Sequence, residues 1–194
     1  MHADDLDAAL ASLAATLRPA AARDWSATTG TGGLDGWHTA EHLGDCLLSY
    51  AAQLVARPEK RYVRFLAAVD NDASSAEALE FALAGGGILA AVVRTTAPEI
   101  RAHHPTGRSD PAGFAGMGCV EVLIHGEDIA RGLGRTLDPP RDTCARVLAR
   151  MFPHIGDVSD VDPWTALRWA ADRAELPGRE RQTGWRWRGA PLDE

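Results

Sequence analysis

The sequence predicts a mainly α-helical protein: a four-helix bundle over residues 1–155, then a C-terminal extension over 156–194 made of helix and short extended chain. Three observations predict this class. Apolar residues recur at spacings of three and four in successive segments. Prolines, glycines and capping residues punctuate those segments at helix-length intervals. The chain of 194 residues is 45% hydrophobic and 24% charged, enough apolar content for one core.

Each element has its own warrant. Residues 4–17 place Leu6, Leu10, Leu13 and Leu17 on one stripe, and Pro19 ends that first helix. Residues 24–36 form a turn-rich loop with Gly30, Gly32, Gly33 and Gly36. A second helix over 38–56 carries Leu43, Leu47, Tyr50 and Leu54 on one face, with Pro58 behind it. Residues 61–69 read as a short strand or the start of a helix, with extended chain the expectation. Asp72 or Ser74 caps a third helix that runs to residue 96. Gly85, Gly86 and Gly87 sit in its middle, at roughly 1 kcal/mol each relative to alanine. Either the helix breaks there or the small residues admit a close neighbour. A long connection containing His103-His104-Pro105 leads to a fourth helix over 111–132, closed by Gly132 and Gly134. Pro139-Pro140 opens a fifth over 141–153, and Pro163 starts a sixth over 163–175. The tail 183–188 alternates as a strand does. Trp185 and Trp187 are expected on the body, with Arg186 and Arg188 in solvent.

Composition excludes several function classes. Asp and Glu outnumber Lys and Arg, 27 to 20, for a net charge of −7, and no basic run offers a nucleic-acid patch. Mean hydropathy is −0.19, and no stretch is expected to span a membrane. The opening Met1-His2-Ala3-Asp4-Asp5 lacks the basic region of a secretory signal, so the expected location is the cytoplasm. Cys46, Cys119 and Cys144 contain no CxxC pair and are expected as free thiols. Lys60 is the only lysine and follows no glycine-rich loop, which excludes Schiff-base and P-loop chemistry.

The residues with chemistry lie on helices two and four. Glu121 and His125 are four apart, so they stack on one helix face, where a carboxylate and an imidazole can share a divalent metal. Asp128 follows on the same stripe and can take the second imidazole proton. On helix two, His42, Cys46, Ser49 and Gln53 form a polar line beside the apolar one. If the two helices are neighbours, His42 faces Glu121 and His125. Two imidazoles and a carboxylate make a three-ligand set with an open position, the pattern of catalytic zinc. Each residue alone has a plainer reading. Glu-x3-His is usually a surface pair, and Cys46 and Cys119 are expected as small core residues. Cys46, one turn after His42, is also a candidate fourth ligand that would close the site and make the metal structural, but the core is the expected place. His103 and His104 are expected at a turn or pocket rim. His2, His38 and His154 have no recognisable context. Trp37, Trp185 and Trp187 are candidate pocket residues.

Two motifs resemble a known family. The run Gly36-Trp37-His38-Thr39-Ala40-Glu41-His42-Leu43 resembles the opening of the second helix of DinB-like proteins. The run from Gly118 through Glu121, His125 and Asp128 to Ala130, then Gly132-Leu133-Gly134, resembles a Glu-x3-His-x2-Asp helix. That helix belongs to the N-terminal domain of mycothiol-dependent maleylpyruvate isomerases. The resemblance covers residues 5–135. It implies metal ligands at His42, Glu121 and His125, with Asp128 orienting His125 or pairing with an arginine. It implies zinc, with nickel as the other candidate, and mycothiol as the small thiol. The activity implied is thiol-dependent isomerisation or S-transfer on a small electrophile. The C-terminal region does not resemble the second domain of the full isomerases. A metal-dependent hydrolase and a non-catalytic metal-binding protein stay open as alternatives. A homodimer is kept as a candidate assembly, without nucleic-acid or membrane partners.

Overall fold

The computed structural model describes residues 1–193, and among them the protein is helical, with no β-strand. The helices are α1 (Ala3–Leu17), α2 (Gly36–Ala56), α3 (Ser75–Thr95), α4 (Pro111–Gly132), α5 (Arg141–Met151) and α6 (Pro163–Ala170), with a 3-10 turn at Arg18–Ala20. Their starts follow from capping. Asp35 accepts from the His38 amide, Ser74 from Glu77, Asp110 from Gly113 and Asp162 from Thr165. Each bond satisfies one of the amides that a helix leaves unpaired at its first turn.

α4 is the centre of the packing. It is buried from Phe114 to Ala130 and lies against α1, α2, α3 and α5. Such a helix has no solvent face, so its polar residues must find partners inside. α1 and α2 each pack on both α3 and α4, and α6 packs on α5. The Leu6, Leu10, Leu13 and Leu17 stripe of α1 is buried, as are Leu43, Leu47, Tyr50 and Leu54 of α2.

The glycine triplet does not break α3. A Cβ at Gly85 would lie 3.0 Å from the Gly44 carbonyl oxygen of α2, and one at Gly86 would lie 2.4 Å from Leu10 Cδ2 of α1. These two glycines let three helix backbones approach closely, which offsets their propensity cost. Gly87 meets nothing within 4 Å. α3 is also the one described helix long and apolar enough, by length and composition, to cross a membrane, at a mean hydropathy of 1.6. In the fold, Leu79, Ala82, Leu89 and Ala90 of this helix are core residues.

Other expectations change as well. α6 ends at Ala170 instead of 175, because Asp172 adopts a left-handed conformation (φ 57°) and the Arg173 amide turns back to the Arg168 carbonyl. Residues 61–69 pair with no strand; they run along α2, with Val63 bonded to Gln53, Ala67 to Asp45 and Val69 to Glu41. The tail 183–188 forms no strand either. Trp185 and Trp187 are half-buried against the core, with Trp185 beside Phe152. Arg186 is exposed, whereas Arg188 folds back to donate to the carbonyls of Ala190 and Pro191.

Candidate metal centre

α2 and α4 lie side by side, and their polar lines meet along the middle of α2. The His42 and His125 rings are 5.1 Å apart between centroids, in an edge-to-face arrangement. His125 Nε2 lies 2.7 Å from Glu121 Oε2. The Tyr50 hydroxyl donates to Glu121 Oε1 at 2.7 Å. Both carboxylate oxygens are thus held by donors, and each keeps a further lone pair. Cys46 Sγ is 3.6 Å from His42 Nε2. The ligand atoms of His42, Cys46 and Glu121 all fall within 4.8 Å of one another, so this group can hold a metal ion. His42 is exposed, Cys46 half-buried and Glu121 buried, so the group opens to solvent on the His42 side.

Behind this group runs a partly buried chain of hydrogen bonds. Asp128 is paired with Arg173 Nη2 at 3.0 Å and Nε at 3.1 Å, and with Arg131 at 3.5 Å. Thr31 Oγ1 donates to Asp128 Oδ2 at 2.5 Å and touches His125 Nδ1 at 2.8 Å. The hydroxyl has one hydrogen. An arginine-paired carboxylate only accepts, so Asp128 takes that hydrogen and His125 Nδ1 donates to Thr31. This leaves Nε2 as the nitrogen turned to Glu121. Both ring nitrogens thus face oxygens, Thr31 Oγ1 on one side and Glu121 Oε2 on the other, and the ring is held at both ends.

The electrostatics agree with a site built around one carboxylate. Burial alone would raise the pKa of Glu121. The His125 hydrogen bond, the Tyr50 hydroxyl and the nearby His42 outweigh burial and hold it below the ordinary value. The same charge acts on its neighbours. Burial first, then Glu121, pushes the Cys46 thiol and the Tyr50 phenol well up. The Tyr62 phenol is also raised, by burial and by Cys46 and Glu121. Without a cation these groups keep their protons.

Cys46 is half-buried: it packs against the core and turns its sulfur to His42. Cys119 is fully buried and Cys144 is buried, both free thiols. His104 is buried among Tyr50, Tyr62 and Trp187, and burial lowers its pKa to about 4. The His103 carbonyl accepts from Gln53, and His38 bonds Asp35 at the α2 cap. Trp37 donates to the Ala73 carbonyl and lines a cavity of about 630 Å³ that lacks the metal-group residues. Tyr50, Thr31 and Arg173 are the partners that sequence reasoning missed. Tyr50 carried a signal: His42, Cys46 and Tyr50 are spaced four apart on α2. Thr31 and Arg173 carried none, being far in sequence from α4.

Compared with protein-family profiles, with curated proteins and with solved structures, the chain has no match.

Proposed function

We propose that this protein is a metal-dependent enzyme that brings a low-molecular-weight thiol, mycothiol in the reading the motifs favour, to a small electrophile. The observation that carries the metal reading is the meeting of His42, Cys46 and Glu121 ligand atoms within 4.8 Å at a solvent-facing edge. An imidazole, a thiol and a carboxylate together suit zinc, an ion that accepts N, S and O donors. Nickel is the second candidate. His42 and Glu121 are common to this group and to the ligand set the resemblance implies; the third ligand is His125 in that set and Cys46 in this group. A bound divalent cation supplies stabilisation of a thiolate near neutral pH, where a free thiol of pKa ~8.5 is mostly protonated.

The chain's own residues prepare the site. Tyr50 and His125 fix the Glu121 carboxylate, and Thr31, Asp128 and Arg173 fix the His125 ring. The exposed His42 edge leaves room for an exogenous group. α1 to α4 are read as a four-helix bundle of the DinB type, on the strength of the two motifs and the packing of α4 against α1, α2 and α3. The cytoplasm is the proposed location.

The test is elemental analysis of the purified protein, then assay of the metal-loaded protein with mycothiol, or with a small thiol, against a panel of electrophiles. Thiol-dependent conversion supports the proposal. Thiol-independent hydrolysis reassigns the protein to the metal-dependent hydrolases. Bound metal without any turnover makes it a metal-binding protein.

A further inference from the structure

We infer that the protein forms a two-fold homodimer in which the outer face of α3 packs antiparallel on the same face of a second copy.

α3 lacks the outer side that a surface helix of a soluble protein carries, a face of charged and polar residues. No charged residue stands between Glu80 and Arg94. The helix is apolar all round, yet only 44% of its most apolar stretch is buried. Ala84, Gly87, Ile88 and Ala91 are exposed on its outer side, with Leu83 and Val92 half-buried at the edges. On α2, Leu48 meets α3 at Gly85, and Val55, two turns on, is 66% exposed, so the apolar surface extends onto α2. A continuous apolar face of this kind marks an interaction site.

Charge identifies a second copy as the occupant. Glu80 and Arg94 stand seven residues before and after Gly87 on this same face, ~10 Å from it each way. A two-fold axis through Gly87 sets Glu80 of each copy against Arg94 of the other, a self-complementary contact. A parallel pairing would set like charges together. Among the described residues Glu80 has no ion pair. Arg94 bonds Asp4 and Asp7 through Nη2 alone, which leaves its Nε and Nη1 donors for the incoming carboxylate. Such exposed pairs contribute little energy and fix the register instead. Affinity comes from the apolar strip between them, where Ala84, Gly87 and Ala91 present only small groups to the opposing helix. A methyl at Gly87 would match those of the two alanines, so the face tolerates alanine there.

The size of the face agrees with this occupant. A helix of 21 residues is ~30 Å long, and the layer it forms with its neighbours is ~20 Å wide, or ~600 Å² per copy. Twice that reaches the lower end of stable protein interfaces, about 1,200 Å².

The test is sedimentation equilibrium of the purified full chain over a range of concentrations, with circular dichroism to confirm helical content. The expected mass is twice the 20.7 kDa of one chain, and Ile88→Glu should sediment as the monomer. Glu80→Arg should weaken the dimer by ~10-fold or more, and adding Arg94→Glu should restore it. The charge variants lie at the exposed ends of the face and keep the test decisive if Ile88→Glu fails to fold. A wild type that stays monomeric overturns the inference; if that monomer floats with phosphatidylcholine vesicles, the face meets a membrane instead. A dimer that survives Ile88→Glu, or one weakened by Glu80→Arg and not restored by Arg94→Glu, also overturns it.

Discussion

Replacing Arg173 with alanine removes the main partner of a buried carboxylate. The Asp128 side chain is 2% exposed and receives Arg173 at 3.0 and 3.1 Å, while Arg131, at 3.5 Å, is 56% exposed. Removing one partner of a buried ion pair costs ~3–5 kcal/mol, because the other charge is left without compensation. Arg131 and the Thr31 hydroxyl remain, so the expected cost is at the lower end or just below, about 2–3 kcal/mol. For a chain of this size that is a fall of roughly 5–10 °C in Tm, or about 1 M in the urea midpoint. The same change loosens the Thr31–His125 contact, and loss of such an outer partner typically costs 10–100-fold in metal affinity. Urea unfolding with zinc titration measures both effects. In an Asp128→Asn background the carboxylate is gone, so Arg173→Ala costs much less there. A stability change below ~0.5 kcal/mol, or an equal cost in both backgrounds, would refute the reasoning.

Further outcomes follow from the same geometry. Gly87→Ala should raise stability by up to ~1 kcal/mol, since nothing lies within 4 Å of the added methyl, whereas Gly86→Ala should lower it by ~1–3 kcal/mol through its clash with Leu10; thermal melts that move the same way would contradict this. Tyr50→Phe removes a hydrogen bond to a buried carboxylate and should cost ~1.5–3 kcal/mol in urea unfolding, with the fold retained. Glu121 has a depressed folded pKa, so its contribution is complete above the unfolded value of ~4.3 and is lost as pH falls through the lower folded value; Glu121→Gln should flatten that acid limb. His104 is also depressed, to about 4, so the stability it contributes is complete above ~6.5 and declines as pH falls toward 4; an NMR titration of its ring with a midpoint near 6.5 would contradict the burial argument.

Much of the helical layout was legible because it rests on local signals. The leucine stripe of α1, the Ser74 cap of α3 and the Pro163 that opens α6 act within a turn or two of chain. What the sequence hid was set by long-range packing. The continuity of α3 through its glycines depends on Gly44 and Leu10 of other helices. The stop of α6 depends on the left-handed Asp172, a conformation no local residue advertised. The Glu121, His125 and Asp128 spacing showed one side of the site. Their hydrogen bonds to Tyr50, Thr31 and Arg173, which span 71 and 97 positions for Tyr50 and Thr31, could only be read from the fold. Cys46 is a related case: helical spacing put it beside both a polar and an apolar line, and in the fold it packs against the core with its sulfur toward His42.

The central claim is that α2 and α4 together hold a divalent cation through His42 and Glu121. The most direct measurement is the zinc stoichiometry of the purified protein after dialysis, with Glu121→Gln beside it. The account predicts about one equivalent in the wild type and a clear loss in Glu121→Gln, with helical content unchanged, as expected where a catalytic site needs its anionic ligand. A wild-type protein that retains no zinc, or a Glu121→Gln protein that binds it as tightly, would contradict the account.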